Sequence, residues 1–383
     1  MSPKRSIFEE VGAEKPAIPT APRGGLIDAR PKGARAAIRV WLFALFALVA
    51  TMIALGGATR LSDAGLSITE WKPVTGMVPP LNEADWQAEF GKYRATPQFA
   101  LANATMDLAG FKAIYWWEWA HRALGRMIGL VWAAGFAGFA LTRRIPKGWG
   151  LRLFGLGVLG GLQGAIGWWM VSSGLGEGMT SVASYRLAVH LGIGFTILGL
   201  IAWYALLLGR SEAELLQARR LAEPRLFGMA TGVLHLAFLQ VLLGALVAGI
   251  DAGRGFTDWP MMGGQFLPPE PFSLSPLWRN FFEDPGLVQF DHRMIGYLVL
   301  IFGAVTALRG RRSAHGATRT AFAWMGAWLL VQVALGIVTL IHAAPMALGL
   351  AHQLGAVVAF VLILRARFLA RYPQVQSIRG GAR

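Results

Sequence analysis

Apolar runs of about twenty residues or more, each enough to cross a bilayer as a helix, alternate with polar stretches along most of this chain. Eight such runs stand at about 38–58, 114–141, 151–173, 185–208, 226–249, 287–308, 320–341 and 347–369. Helices are the expected form, because lipid offers no partner to an unpaired backbone N–H or C=O. The polar intervals differ in length. Two long ones, about 59–112 and 250–288, follow the first and fifth runs. The first is too polar to span, yet it holds Trp71, Trp86, Phe90 and Phe99. That mixture predicts short helices lying on the outer surface.

Charge fixes the orientation. The 383 residues are 55% hydrophobic and only 15% charged, which excludes a soluble domain. The net charge of +15 could suggest nucleic acid. Its distribution excludes that reading: basic residues gather at the amino terminus, 143–152, 210–225, 309–319 and the carboxy terminus. These segments all fall on one side of an eight-span chain, the positive-inside pattern. Both termini are therefore expected in the cytoplasm. Residues 1–37 are polar and basic without an apolar core, so they read as a disordered tail rather than a cleavable signal. With no cysteine, disulfides, thiolate ligands and iron–sulfur clusters are excluded.

The chain repeats itself. Asp63-Ala-Gly-x-x-x-Thr-Glu-Trp71 matches Asp251-Ala-Gly-x-x-x-Thr-Asp-Trp259, 188 residues on. His121-Arg122 matches His292-Arg293, and Gln163-x-x-x-Gly167 matches Gln332-x-x-x-Gly336. His190 near Gly192 resembles His352 near Gly355. Four matches in the same order indicate a duplication of four spans. The expected fold is all-α and integral to the membrane. Its eight transmembrane helices form two tandem four-helix bundles related by a pseudo-twofold along the membrane normal. The divisions are a tail (1–37), an amino-terminal half (38–210), a basic linker (211–225), a carboxy-terminal half (226–370) and a second tail (371–383).

The chemistry lies in the repeated histidines. His121, His190, His292 and His352 each sit about 10 Å inside the outer end of an even-numbered span, at about 1.5 Å per residue. Two imidazoles at one depth on neighbouring helices can clamp a haem iron from both faces. Gly125, Gly129, Gly194, Gly296 and Gly355 would let the flat macrocycle in. Arg60, Arg122, Arg126 and Arg293 are candidates to hold its propionates. The plainer reading is that the histidines hydrogen-bond between helices, but four in duplicated pairs weigh against it. A four-histidine copper or iron site fits less well, because duplication predicts two pairs. His315 in a basic inner loop reads as solvated and His342 at an outer turn as a surface residue, while His235, without a repeat partner in span five, reads as a satisfied core histidine. Glu118 shares a helix face with His121. Its counterpart is Gln289, so haem binding alone does not need the charge. A buried carboxylate there suits acid–base or charge-stabilising work; an arginine partner is the simpler alternative. Gln163 and Gln332 read as interhelical hydrogen-bonding groups.

The EWAHR stretch at 118–122, GGATRLSDAGLSITEW at 56–71, the VHLG and AHQLG histidines and the four-plus-four duplication together resemble the haem A synthase family. The resemblance runs from about 38 to 370. It implies an inner-membrane enzyme that oxidises the C8 methyl of haem O to the formyl of haem A by successive hydroxylations, for cytochrome oxidase assembly. It also implies His121 and His190 as ligands of the substrate haem, His292 and His352 as ligands of a haem b cofactor, and Glu118 as the catalytic carboxylate. The implied partners are haem O, a haem O synthase, an electron donor, cytochrome oxidase assembly factors and membrane lipid. Some members carry a cysteine pair in the outer loops. This chain resembles the cysteine-free branch, nearer the mitochondrial type and its bacterial relatives. The glycine-rich helix faces would also permit packing between copies. Two other classes remain open from the residues: a bis-histidine cytochrome b that only carries electrons or haem, and a colourless transporter with histidine proton relays.

The charge pattern yields a direct test. Reporter fusions near residues 90 and 270 should both report the outer side. A cytoplasmic signal at either would break the eight-span topology.

Overall fold

The computed structural model describes residues 32–374. Eight helices among them are long and apolar enough to cross a membrane. They are α1 (Lys32–Leu61), α4 (Leu108–Leu141), α5 (Gly150–Gly174), α6 (Ser184–Leu208), α8 (Pro224–Gly249), α10 (Pro285–Gly310), α11 (Gly316–Ile341) and α12 (Met346–Arg371). Four shorter helices join them: α2 (Glu83–Arg94), α3 (Pro97–Ala102), α7 (Glu212–Arg220) and α9 (Asn280–Glu283). The all-α fold and the eight spans are as the apolar runs predict. One boundary differs. Helix α1 begins at Lys32, so 32–37 are helical rather than part of a disordered tail, and 1–31 lie outside the described residues. Of the second tail, 375–383 lie outside them as well.

Local chemistry explains where helices start and stop. Pro224 and Pro285 open α8 and α10, where a missing N–H costs nothing. Asp107 and Asp284 cap α4 and α10 by accepting from Gly110 N and Leu287 N. The basic linker folds into α7 behind a Ser211–Glu214 capping box. Both copies of the Asp-Ala-Gly motif end a span. Asp63 and Asp251 take left-handed backbone at φ 51° and 55°, a conformation that aspartate tolerates better than most residues.

The spans pack as two rings. Helices α1, α4, α5 and α6 contact one another in cyclic order, and so do α8, α10, α11 and α12. The rings meet where α6 packs on α8 and α1 on α12. Lipid removes the hydrophobic drive between helices, so close packing and polar contacts must hold them together. At the ring seam Phe195 meets Phe360 edge-on at 5.5 Å, and Gln353 donates to Ile53 O at 3.0 Å. At the loop end of the seam one guanidinium joins both repeats. Arg60 donates to Asp63 at 2.7 Å and to Asp251 at 2.8 Å, and also to Gly249 O at 3.2 Å.

The two long loops cover the same end of the rings. In the first, α2 and α3 are the short helices that its composition predicts. Trp86, Phe90 and Tyr93 of α2 are buried against Phe111 and Tyr115 of α4. Lys72 and Lys92 flank Glu70 and hold its carboxyl down at about 2. In the second loop, the backbone N–H groups of Gly264 and Gly263 hold the Asp258 carboxyl below its ordinary range.

Candidate functional site

Each ring presents one pair of histidines. His121 of α4 faces His190 of α6 with ring centres 6.5 Å apart; His292 of α10 faces His352 of α12 at 6.4 Å. The pairs lie across the ring diagonals rather than on neighbouring helices, as expected from sequence, because α1 and α5, or α8 and α11, stand between them. The diagonal matters: it sets the two imidazoles of each pair facing each other.

The spacing suits a metal between the rings. Two metal–imidazole bonds of about 2 Å each, plus roughly 1 Å from each ring nitrogen to its ring centre, add to about 6 Å. One nitrogen of each of His190, His292 and His352 lies 3.2–3.4 Å from a glutamine amide of the next helix. Here Nδ1 of His121, His190 and His292 is buried without a partner. Among the described residues no three His, Asp or Glu gather as a bare-ion site. The two facing histidine pairs could each hold a haem between them.

Each imidazole is seated on a glycine of the next helix. A β-carbon at Gly56 would stand 2.9 Å from His121 Cε1, one at Gly167 2.9 Å from His190 Cε1, one at Gly244 3.1 Å from His292 Cε1, and one at Gly336 2.9 Å from His352 Cε1. One turn away on three of those helices a glutamine reaches back. Gln163 donates to His190 O at 2.9 Å, Gln240 to His292 O at 2.9 Å and Gln332 to His352 O at 2.8 Å. The unit is therefore a Q-x-x-x-G strip on one helix holding a histidine of its neighbour.

Above the histidines, the arginines bind the loops. Arg122 donates to Ile68 O at 2.7 Å and Glu70 O at 2.8 Å. Arg293 donates to Phe256 O and to Asp258 O, each at 3.1 Å, and to Met261 O at 2.9 Å. Ile68 and Phe256, and Glu70 and Asp258, occupy matching positions of the two Asp-Ala-Gly motifs. Arg60 is held at the ring seam, and Arg126 donates to Pro73 O and Lys72 O, each at 2.8 Å. The four arginines thus have structural partners of their own, which the sequence pattern does not reveal. Arg126 alone keeps a whole NH2 group in reserve: its Nη1 is buried without a partner.

Glu118 is 3% exposed and fully engaged. One oxygen accepts from Ser67 Oγ at 2.7 Å and Ile68 N at 2.9 Å; the other accepts from Arg122 Nη2 at 2.6 Å and Nε at 3.1 Å. Gln289 occupies the equivalent place with opposite polarity. Its amide nitrogen donates to Ala252 O at 2.8 Å and Phe256 O at 3.1 Å, while its oxygen accepts from Arg293 at 3.0 Å. Glu and Gln are thus matched to loops that offer donors in one half and acceptors in the other.

Residues 39–364 match the sequence model of a family described as COX15-CtaA, cytochrome oxidase assembly protein. The chain belongs to the COX15-CtaA family. It is 65% identical over 382 residues to a protein of Ruegeria pomeroyi named Heme A synthase, covering 99% of this chain and 100% of that one. It is 63% identical to proteins of the same name from Ruegeria sp. strain TM1040 and Paracoccus denitrificans, covering at least 98% of both partners in each comparison. In this COX15-CtaA chain the histidines, Glu118 and the paired arginines were legible as candidates. Gln240, Gly244 and Gly56 were not. A third Q-x-x-x-G in span five was the available signal, and it needed no structure.

The glycine seats predict a sharp contrast on α8. Gly244→Ala forces the His292 ring to move, whereas Gly228→Ala meets open space. Gly244→Ala should shift the visible spectrum and lower haem content; Gly228→Ala should leave both unchanged. Equal behaviour in the two purified variants would remove the seat from the argument.

Proposed function

We propose that this protein is a haem A synthase: it oxidises the C8 methyl of haem O to a formyl group, for cytochrome oxidase assembly. The observation that carries this reading is the double bis-histidine geometry in a chain of that family, with the buried Glu118 beside the first pair where the second has Gln289. His121 and His190 hold the substrate haem, and His292 and His352 hold a resident haem b. When bound, haem b supplies one-electron redox capacity. The amino-terminal half is the chemical half and the carboxy-terminal half the electron-carrying one. The protein sits in the bacterial inner membrane with both termini cytoplasmic. A haem O synthase supplies the substrate and a separate donor supplies electrons. An electron-carrying cytochrome b needs no difference between the halves, so the Glu118–Gln289 contrast favours the enzyme.

Two successive hydroxylations, each replacing one C–H by C–OH with dioxygen as oxidant, two electrons from the donor and two protons, and each releasing one water, convert the methyl to an alcohol and then to a hydrate, which loses water to leave the formyl group. Each step draws electron density from the methyl carbon. The Glu118 carboxylate, one helical turn from His121, is placed to stabilise the positive charge that develops there. Both its oxygens are already engaged, so an electrostatic role suits it better than proton carriage. Arg126 Nη1 is the available donor for a substrate propionate, while Arg122 holds the loop closed over the pocket and excludes water.

Two experiments test this. First, His292→Ala or His352→Ala should each lose an axial ligand and with it haem b occupancy and the wild-type spectrum. Second, Glu118→Gln puts an amide among donors, since Ser67, Ile68 and Arg122 all present N–H or O–H groups. It should lower haem A by roughly 10²-fold, the scale of one lost electrostatic group, with haem O accumulating and haem b retained. Ser67→Ala keeps the charge and removes one latch contact, so it should retain most haem A. Equal losses in the two variants, read by extraction and chromatography, would reduce Glu118 to a loop latch.

A further inference from the structure

Three of the four histidines are latched by a glutamine, and His121 is not. In α5, α8 and α11 the strip reads Gln163-x-x-x-Gly167, Gln240-x-x-x-Gly244 and Gln332-x-x-x-Gly336. Each glutamine donates to the carbonyl of the histidine it faces. Each amide also lies 3.2–3.4 Å from a nitrogen of that imidazole: 3.4 Å at His190, 3.2 Å at His292 and 3.2 Å at His352. In α1 the same strip reads Met52-x-x-x-Gly56. The Met52 methyl lies against Gly125, 3.4 Å from where a β-carbon would stand, just as Gln240 lies against Gly296. Met52 therefore occupies the glutamine position without a donor. No glutamine or other described side chain donates a hydrogen bond to His121, whose Nδ1 is buried without a partner against the Gly56 seat.

The difference falls between the pairs in a meaningful way. His292 and His352 are both latched. In the other pair His190 is latched and His121 is not. A hydrogen bond from an adjacent helix restricts both the ring and the helix that carries it, and in a bilayer no water replaces it. An axial ligand held this way resists dissociation; an unlatched one leaves more readily. We propose that Met52 makes His121 the releasable axial ligand, so that the amino-terminal pair exchanges its haem while the carboxy-terminal pair retains its own. This rests on the reading above that the first pair takes substrate and the second a resident cofactor. Met52 and Gln240 act through histidines, so both are positioning residues.

The test swaps the two side chains, which are close in volume. Purified full-length protein is mixed with excess apomyoglobin as a haem scavenger. Haem loss is followed spectroscopically, and the retained haems are identified by extraction. Wild type should lose the haem O and haem A of the first pair quickly and haem b slowly. Met52→Gln should slow the fast phase by about threefold to tenfold, the scale of one net hydrogen bond, and raise the haem O and haem A that co-purify. Gln240→Met should speed haem b loss by a similar factor. Met52→Leu has no donor and should behave as wild type. Loss rates unchanged in both swapped variants, while His292→Ala still empties haem b, would overturn the latch and leave the site assignment standing. Equal slowing by Met52→Leu and Met52→Gln would assign the effect to packing and also overturn it. Full haem b in His292→Ala would remove the site assignment, and this proposal with it.

Discussion

An imidazole edge pressed onto a glycine of the adjacent helix recurs four times in this molecule, and the two rings are built around that contact. With a side chain at Gly56, Gly167, Gly244 or Gly336, the facing ring would have to turn from its place or the helices would have to part. The seat sets the interhelical spacing and aims each imidazole across the ring diagonal. The roughly 6.5 Å between facing ring centres follows from it. In lipid, where apolar side chains gain little by leaving one neighbour for another, such close approaches carry much of the specificity of helix pairing.

Polarity is distributed over the two halves by a simple rule. Wherever the spans meet the loops, a long side chain on the span satisfies loop backbone groups. Arg122 and Arg293 do so at equivalent carbonyls. Glu118 and Gln289 do so with opposite sense, because one loop turns Ser67 and Ile68 donors toward the span and the other turns Ala252 and Phe256 carbonyls. A change of a single atom, oxygen for nitrogen, therefore requires a change of loop conformation. The charge beside the first histidine pair is tied to the architecture of the cover above it. The carboxylate beside that pair is itself one of the contacts that hold the loop.

The seam between the rings shows how the duplicated sequence becomes one body. Asp63 and Asp251 are equivalent residues with the same left-handed backbone, yet they share Arg60, which only the first half supplies. Position 248, the counterpart of Arg60, is alanine. Arg60 bridges the two equivalent aspartates at the junction, and Arg254 adds a longer contact of 3.5 Å to the other oxygen of Asp251.

By itself the sequence determined the eight helices, the tandem repeat and the identity of the histidines. Those properties depend on local hydropathy and residue spacing, both of which are read along one dimension. Trp86 and Phe90 were likewise legible as the apolar faces of surface helices, because an aromatic in a polar loop must find cover somewhere. The diagonal placement of the pairs was not legible, since helix order along the chain does not say which helices adjoin. Nor were the arginine partners: a guanidinium near a candidate pocket looks the same in sequence whether it meets a propionate or a loop carbonyl. Only the tertiary structure showed that Glu118 and Gln289 differ because their loops do, and that Met52 stands where three other helices place a glutamine. Each of these facts depends on which backbone atom lies across the gap, and that is decided by packing between segments distant in the chain.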